Sequence, residues 1–95
     1  MINVNLIKRE DSLIGIEVSG HAQFAEHGKD LICAAVSAFV TGGFNAFDEK
    51  DISSVELKEG YAILILKEGN SPVLNTIVIQ LKTIEEANPK YFKIN

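Results

Sequence analysis

The sequence predicts a two-layer α/β (α+β) sandwich, a mixed β-sheet with two helices packed on one face in the order ββαββαβ. Three observations predict it. Short runs of alternating or unbroken apolar residues recur along the chain, two stretches carry helical periodicity, and polar or glycine-containing turns separate them. Two helices on one face of a sheet is the simplest way to bury that pattern. At 95 residues the chain suits one domain, residues 1–95, with one core.

Ile2, Val4 and Leu6 share one face of a first strand, and Glu10-Asp11-Ser12 form a polar turn. Ile14, Ile16 and Val18 share one face of a second strand, which pairs with the first as a hairpin. Gly20 to Lys29 contains two glycines, Gly20 and Gly28, follows no period and reads as a loop. Asp30 is placed as an N-cap, able to accept from the N–H groups of Ile32 or Cys33. The helix it starts is expected to run to about Phe47 through an alanine-rich middle suited to close packing. Gly42-Gly43 falls inside that helix at about 1 kcal/mol per glycine relative to alanine. The pair marks a close approach of another element or an early stop, and continuation is the reading adopted.

Asp48 to Asp51 is a polar connector, Ile52 to Lys58 a third strand, and Glu59-Gly60 its turn. The unbroken apolar run from Tyr61 to Leu66 has the pattern of a central strand buried on both faces. Ser71-Pro72 supplies an N-cap and a first-turn proline for a second helix. Leu74, Ile77, Val78, Leu81 and Ile84 form its apolar stripe. Asn88-Pro89 stops it, and Tyr91 to Ile94 reads as a last short strand.

Nine basic residues against thirteen acidic ones give a net charge of −4. Nucleic-acid affinity needs clustered cations, whereas these lysines are scattered and Arg9 is the one arginine, so direct nucleic-acid binding is not expected. The stretch from Leu31 to Val40 is far short of the roughly 20 apolar residues of a membrane span, so no membrane association is expected. The first residues alternate like a strand, without a basic start, so the reading is cytoplasmic. A single cysteine forms no internal disulfide, consistent with a reducing compartment.

That cysteine carries the chemistry. Cys33 lies in the first turn of the predicted helix, where unpaired N–H groups and the positive end of the helix dipole favour thiolate, the nucleophilic form. His21 lies twelve residues earlier, at the end of the second strand, on a segment that Gly20 and Gly28 would let bend. Acyl transfer needs an exposed ionisable nucleophile, an acid/base within about 3 Å, and N–H donors for the oxyanion. Cys33, His21 and the amides of Cys33 and Ala34 are the candidates. The alternative is a cysteine acting as a small core residue beside a structural or exposed histidine.

Gly20-His21-Ala22, a seven-residue gap, Asp30, Cys33-Ala34 and Ser37-Ala38 resemble the signature of the ribosomal-processing cysteine protease family. The resemblance extends to total length, element order and the Thr83-Ile84-Glu85 stretch. It implies a dimeric two-layer α/β protein with Cys33 as nucleophile, His21 as general acid/base and no cofactor. It also implies a substrate, the short N-terminal extension of large-subunit ribosomal protein twenty-seven, cleaved after paired aromatic residues.

Other residues keep two readings. Asp30 either caps the helix or orients His21. Ser37, one turn after Cys33, contacts the loop or substrate, or bonds its own helix backbone. Phe24, Phe44 and Phe47 either wall a substrate groove or belong to the core. His27 is read as a loop residue. His21, His27, Asp30 and Cys33 are types that suit zinc, but their spacing matches no usual zinc pattern, so no metal is expected. The loop is expected to act as a gate that brings His21 to Cys33 when substrate binds. Two competing functions are a noncatalytic assembly factor for a basic ribosomal protein, and a redox-sensing thiol without a resolving cysteine.

Overall fold

The computed structural model describes residues 1–20 and 30–95. Strands β1 (Ile2–Arg9) and β2 (Ser12–Gly20) form the expected antiparallel hairpin. Its turn places Glu10 (φ 51°) and Asp11 (φ 67°) in the left-handed region, as in a type I′ turn whose twist matches the strands. Helix α1 (Leu31–Phe44) follows, then a single 3-10 turn (Glu49–Asp51), β3 (Ile52–Lys58), β4 (Tyr61–Leu66), helix α2 (Pro72–Ala87) and β5 (Phe92–Ile94). The five strands lie in the order β3-β4-β2-β1-β5, and β5 runs parallel to β1 while every other pair is antiparallel. This is the mixed sheet and ββαββαβ order read from the sequence.

Both helices lie on one face. Ile32, Val36, Val40 and Phe44 recur every four residues along α1 and form its buried stripe. Leu74, Ile77, Val78, Leu81 and Ile84 do the same on α2. They close on Ile2, Val4, Ile16, Val18, Ala62, Leu64, Leu66 and Phe92 of the sheet. Among the described residues no helix is long and apolar enough to cross a membrane.

Four details depart from the sequence reading. Ile7 pairs with Gly15 but Lys8 pairs with Leu13, so Ile14 is a bulged residue without a partner. One extra residue shifts the period of two, and Leu13 rather than Ile14 packs against the main core. β4 is not central; β2 is. Ala62, Leu64 and Leu66 are buried while Tyr61, Ile63 and Ile65 are only half-buried, because helices cover one face of the sheet. α1 ends at Phe44, earlier than expected, where the N–H of Ala46 donates to the Gly43 carbonyl at 3.0 Å and tightens the last turn. β5 begins at Phe92, one residue later than expected.

The glycine pair does lie inside α1, and its members differ. A Cβ on Gly43 would lie 2.6 Å from Cδ1 of Ile77, so Gly43 is the point where α2 approaches. A Cβ on Gly42 would meet nothing within 4 Å.

On the open face of the sheet, Glu17 accepts from Tyr61 Oη at 2.8 Å and from Asn5 Nδ2 at 3.1 Å. The Tyr61 bond, then that of Asn5, holds the Glu17 carboxyl below the usual carboxylate range. Donating to Glu17 pushes the Tyr61 phenol up.

Candidate active site

The site begins with the cap of α1. Asp30 has extended backbone (φ −78°, ψ 102°), and its Oδ1 accepts from the N–H groups of Ile32 and Cys33, each at 3.0 Å. This satisfies donors that the helix start leaves unpaired. Cys33 is thereby the third residue of the helix, half-buried, with part of its side chain against the core. α1 carries no acidic residue in its first turn, so the Asp30 carboxylate is the one negative charge that the cap itself brings to the helix start.

The same hydrogen bonds engage the two amides, those of Cys33 and Ala34, that are the candidate oxyanion donors. The Cys33 N–H donates to Asp30 Oδ1, and the Ala34 N–H donates to the Asp30 carbonyl at 3.0 Å. Both donors are occupied: the first closes the cap and the second is the first helical hydrogen bond. A substrate oxygen gains the Cys33 N–H only by displacing the Asp30 carboxylate.

Cys33 opens into a groove of about 810 Å³ between α1 and the β3–β4 hairpin. Asp30, Cys33, Ala34 and Ser37 are among the residues of α1 and its cap on one side; Val18 and Gly20 of β2 and the segment from Leu57 to Ala62 are among those facing them. Ser37 is exposed in this groove, and its hydroxyl makes no hydrogen bond to the helix backbone among the described residues. Gly20 has φ 93°, a Cβ there would strike the Met1 carbonyl oxygen, and its N–H donates to the Gly60 carbonyl at 3.0 Å. Only glycine fits that corner.

Of the remaining candidates, His21, His27, Gly28 and Phe24 lie outside the described residues, as does the expected gate. Phe44 is buried in the core and Phe47 packs against it, and neither lines the groove. Of the four zinc-type residues only Asp30 and Cys33 are described, and the described residues contain no metal-binding cluster. The sequence reading missed Leu57. Its signal was the Val55-Glu56-Leu57 alternation, which puts two apolar side chains on one face of the third strand.

A thiol in the first turn of a capped helix, open to a groove over a two-layer α/β frame, is the arrangement that suits a thiol hydrolase. The family model described as Cysteine protease Prp matches residues 1–93, and the chain belongs to that family. The chain is 34% identical over 94 residues to the ribosomal processing cysteine protease Prp of Mycoplasma genitalium, spanning 95% of each chain. It is 32% identical over 96 residues to that of Mycoplasma pneumoniae, spanning 90% of each. The crystal structure of the essential ribosomal processing protease Prp from S. aureus with a covalently linked product peptide superposes with a TM-score of 0.85 at 25% identity, covering 100% of this chain and 98% of the other. A second S. aureus structure, with a substrate peptide, superposes with a TM-score of 0.80 at the same 25% identity, covering 100% and 98%.

Proposed function

We propose that this single-domain chain is a cytoplasmic cysteine endopeptidase, acting as a homodimer, that removes the short N-terminal extension of large-subunit ribosomal protein twenty-seven. The observation that carries the proposal is the Cys33 thiol, held in the first turn of α1 and facing a groove large enough for a peptide. The product peptide and the substrate peptide in the two S. aureus structures support a peptide occupant.

In the proposed mechanism His21 takes the proton of the Cys33 thiol. The thiolate attacks the scissile carbonyl and forms a tetrahedral oxyanion, which the positive end of α1 steadies. The C–N bond breaks, His21 protonates the departing amine, and a thioester remains on Cys33. His21 then activates a water, whose attack releases the carboxylate product and restores the thiol. Asp30 is the cap in this scheme, and Ser37 is placed to contact the substrate.

Incubating the purified protein with the extended substrate and weighing the products tests this. One cut is expected, and none with Cys33→Ala, whose thermal unfolding should match the parent. Full cleavage by Cys33→Ala ends the proposal.

A further inference from the structure

We infer that the outer edge of β3 is the docking rail for the peptide: the substrate joins the sheet as an added extended strand beside Val55 and Leu57, along the groove that holds Cys33. The inference rests on the peptidase reading and adds how its substrate is held.

The pairing pattern fixes which backbone groups face outward. The Gly20 N–H donates to the Gly60 carbonyl, so Gly20 and Gly60 form a hydrogen-bonded pair of the β2–β4 ladder. Hydrogen-bonded pairs alternate along an antiparallel ladder, so Ala62 and Leu64 also bond towards β2. Tyr61, Ile63 and Ile65 therefore bond towards β3, to Lys58, Glu56 and Ser54. The N–H and C=O groups of Val55 and Leu57 point the other way. β3 pairs only with β4 among the described residues, and every residue of β3 after Ile52 is exposed.

The side chains agree. Val55 and Leu57 pair with Leu64 and Ala62, so all four point to the helix-bearing face. Yet Val55 is 48% and Leu57 44% exposed, and Leu57 lines the groove with Cys33. The charged residues of the strand do not guard this edge. Glu56 and Lys58 lie on the opposite face, joined at 3.2 Å, with Lys58 over the Tyr61 ring. β3 contains no proline, and its one irregularity is at its start, between Ile52 and Ser54. Exposed edges normally carry such devices, because a free edge templates another strand. A free edge that runs into the site of a peptide-cutting thiol suits an extended polypeptide, bound through main-chain hydrogen bonds with every second side chain turned into the groove.

The test uses the full-length Cys33→Ala protein and a synthetic peptide spanning the extension and its cleavage site. Amide exchange followed residue by residue is expected to slow at least about tenfold at Val55 and Leu57 when the peptide saturates, while Glu56 and Lys58 stay as they are. With wild-type protein, single N-methyl groups walked along the peptide should raise KM by roughly 3- to 10-fold at every second position, the loss of one hydrogen bond, and little between. Normal cleavage with unchanged exchange at Val55 and Leu57 overturns the inference and leaves the peptidase reading standing. Slow exchange at both residues in the free protein, growing with protein concentration, makes the edge a seam between two copies and also overturns it. Failure of wild-type protein to cut the unmodified peptide removes the peptidase reading and this inference with it.

Discussion

Alanine at Gly42 and alanine at Gly43 should move stability in opposite directions. Inside a helix, alanine is favoured over glycine by about 1 kcal/mol. At Gly42 an added Cβ meets nothing within 4 Å, so that gain stands in full. For a domain of this size the melting midpoint should rise by roughly 4–8 °C. At Gly43 the Cβ would lie 2.6 Å from Cδ1 and 2.8 Å from Cγ1 of Ile77. Ile77 is 2% exposed, so admitting the carbon means shifting a packed core side chain. Forcing an extra carbon into such a core costs about 1–3 kcal/mol, which matches or exceeds the helix gain. Gly43→Ala should therefore be up to about 2 kcal/mol less stable than the parent. Urea unfolding with an unchanged slope is the assay. Ile77→Val deletes Cδ1, so the double variant should recover at least roughly 0.5 kcal/mol relative to the sum of the single changes. Equal stabilisation at both glycines, or strict additivity with Ile77→Val, refutes the reasoning.

Asp30→Ala removes an acceptor shared by two amides and should lower stability by about 0.5–2 kcal/mol in thermal unfolding, whereas Asp30→Asn, a comparable cap, should hold it. If Asp30 only caps, Asp30→Asn also keeps the cleavage rate; a large rate loss at unchanged stability assigns it to orienting His21. The lowered Glu17 carboxyl stabilises the fold above its ordinary value of 4.5, and this contribution disappears as pH falls through the folded value. Tyr61→Phe removes its main cause, so acid unfolding of that variant should be less steep than the parent's below that pH. The raised Tyr61 phenol works the other way: its contribution persists below the ordinary value of 10.0 and is lost as pH rises through the folded one. Phe92→Ala empties a core position that is 1% exposed and should cost about 3–5 kcal/mol by urea titration.

Local chemistry made most of the fold legible. Asp30, Ser71, Pro72 and Asn88 mark helix ends by their own hydrogen-bonding or backbone limits, and the structure uses them so. The bounds of β3 and β4 follow from the Glu59-Gly60 turn. What failed depended on packing between distant residues. The bulge at Ile14 is ambiguous in sequence because Leu13 and Ile14 are adjacent and both apolar, so either can head the alternation of Ile16 and Val18. The half-exposure of Ile63 and Ile65 depends on where the helices lie, and an unbroken apolar run does not say that one face has no cover. At the site, cysteine and cap were readable from spacing. So was the Asp30 bond to the Cys33 amide; that this same donor is also one read for the oxyanion becomes plain only in the geometry. Leu57 escaped notice because its importance comes from the strand edge it occupies, which is a matter of topology.

The parallel seam between β5 and β1 ties the two ends of the chain to each other. The Asn95 N–H donates to the Val4 carbonyl at 2.7 Å, and the Ile2 N–H donates to the Tyr91 carbonyl at 2.9 Å. Phe92, one of the largest sealed side chains, arrives only with this seam. During synthesis the opening hairpin must therefore wait, its flank bare, until roughly seventy further residues have been made. The flank of β1 is thus completed by residues made much later, and breaking the β5 pairing should loosen it.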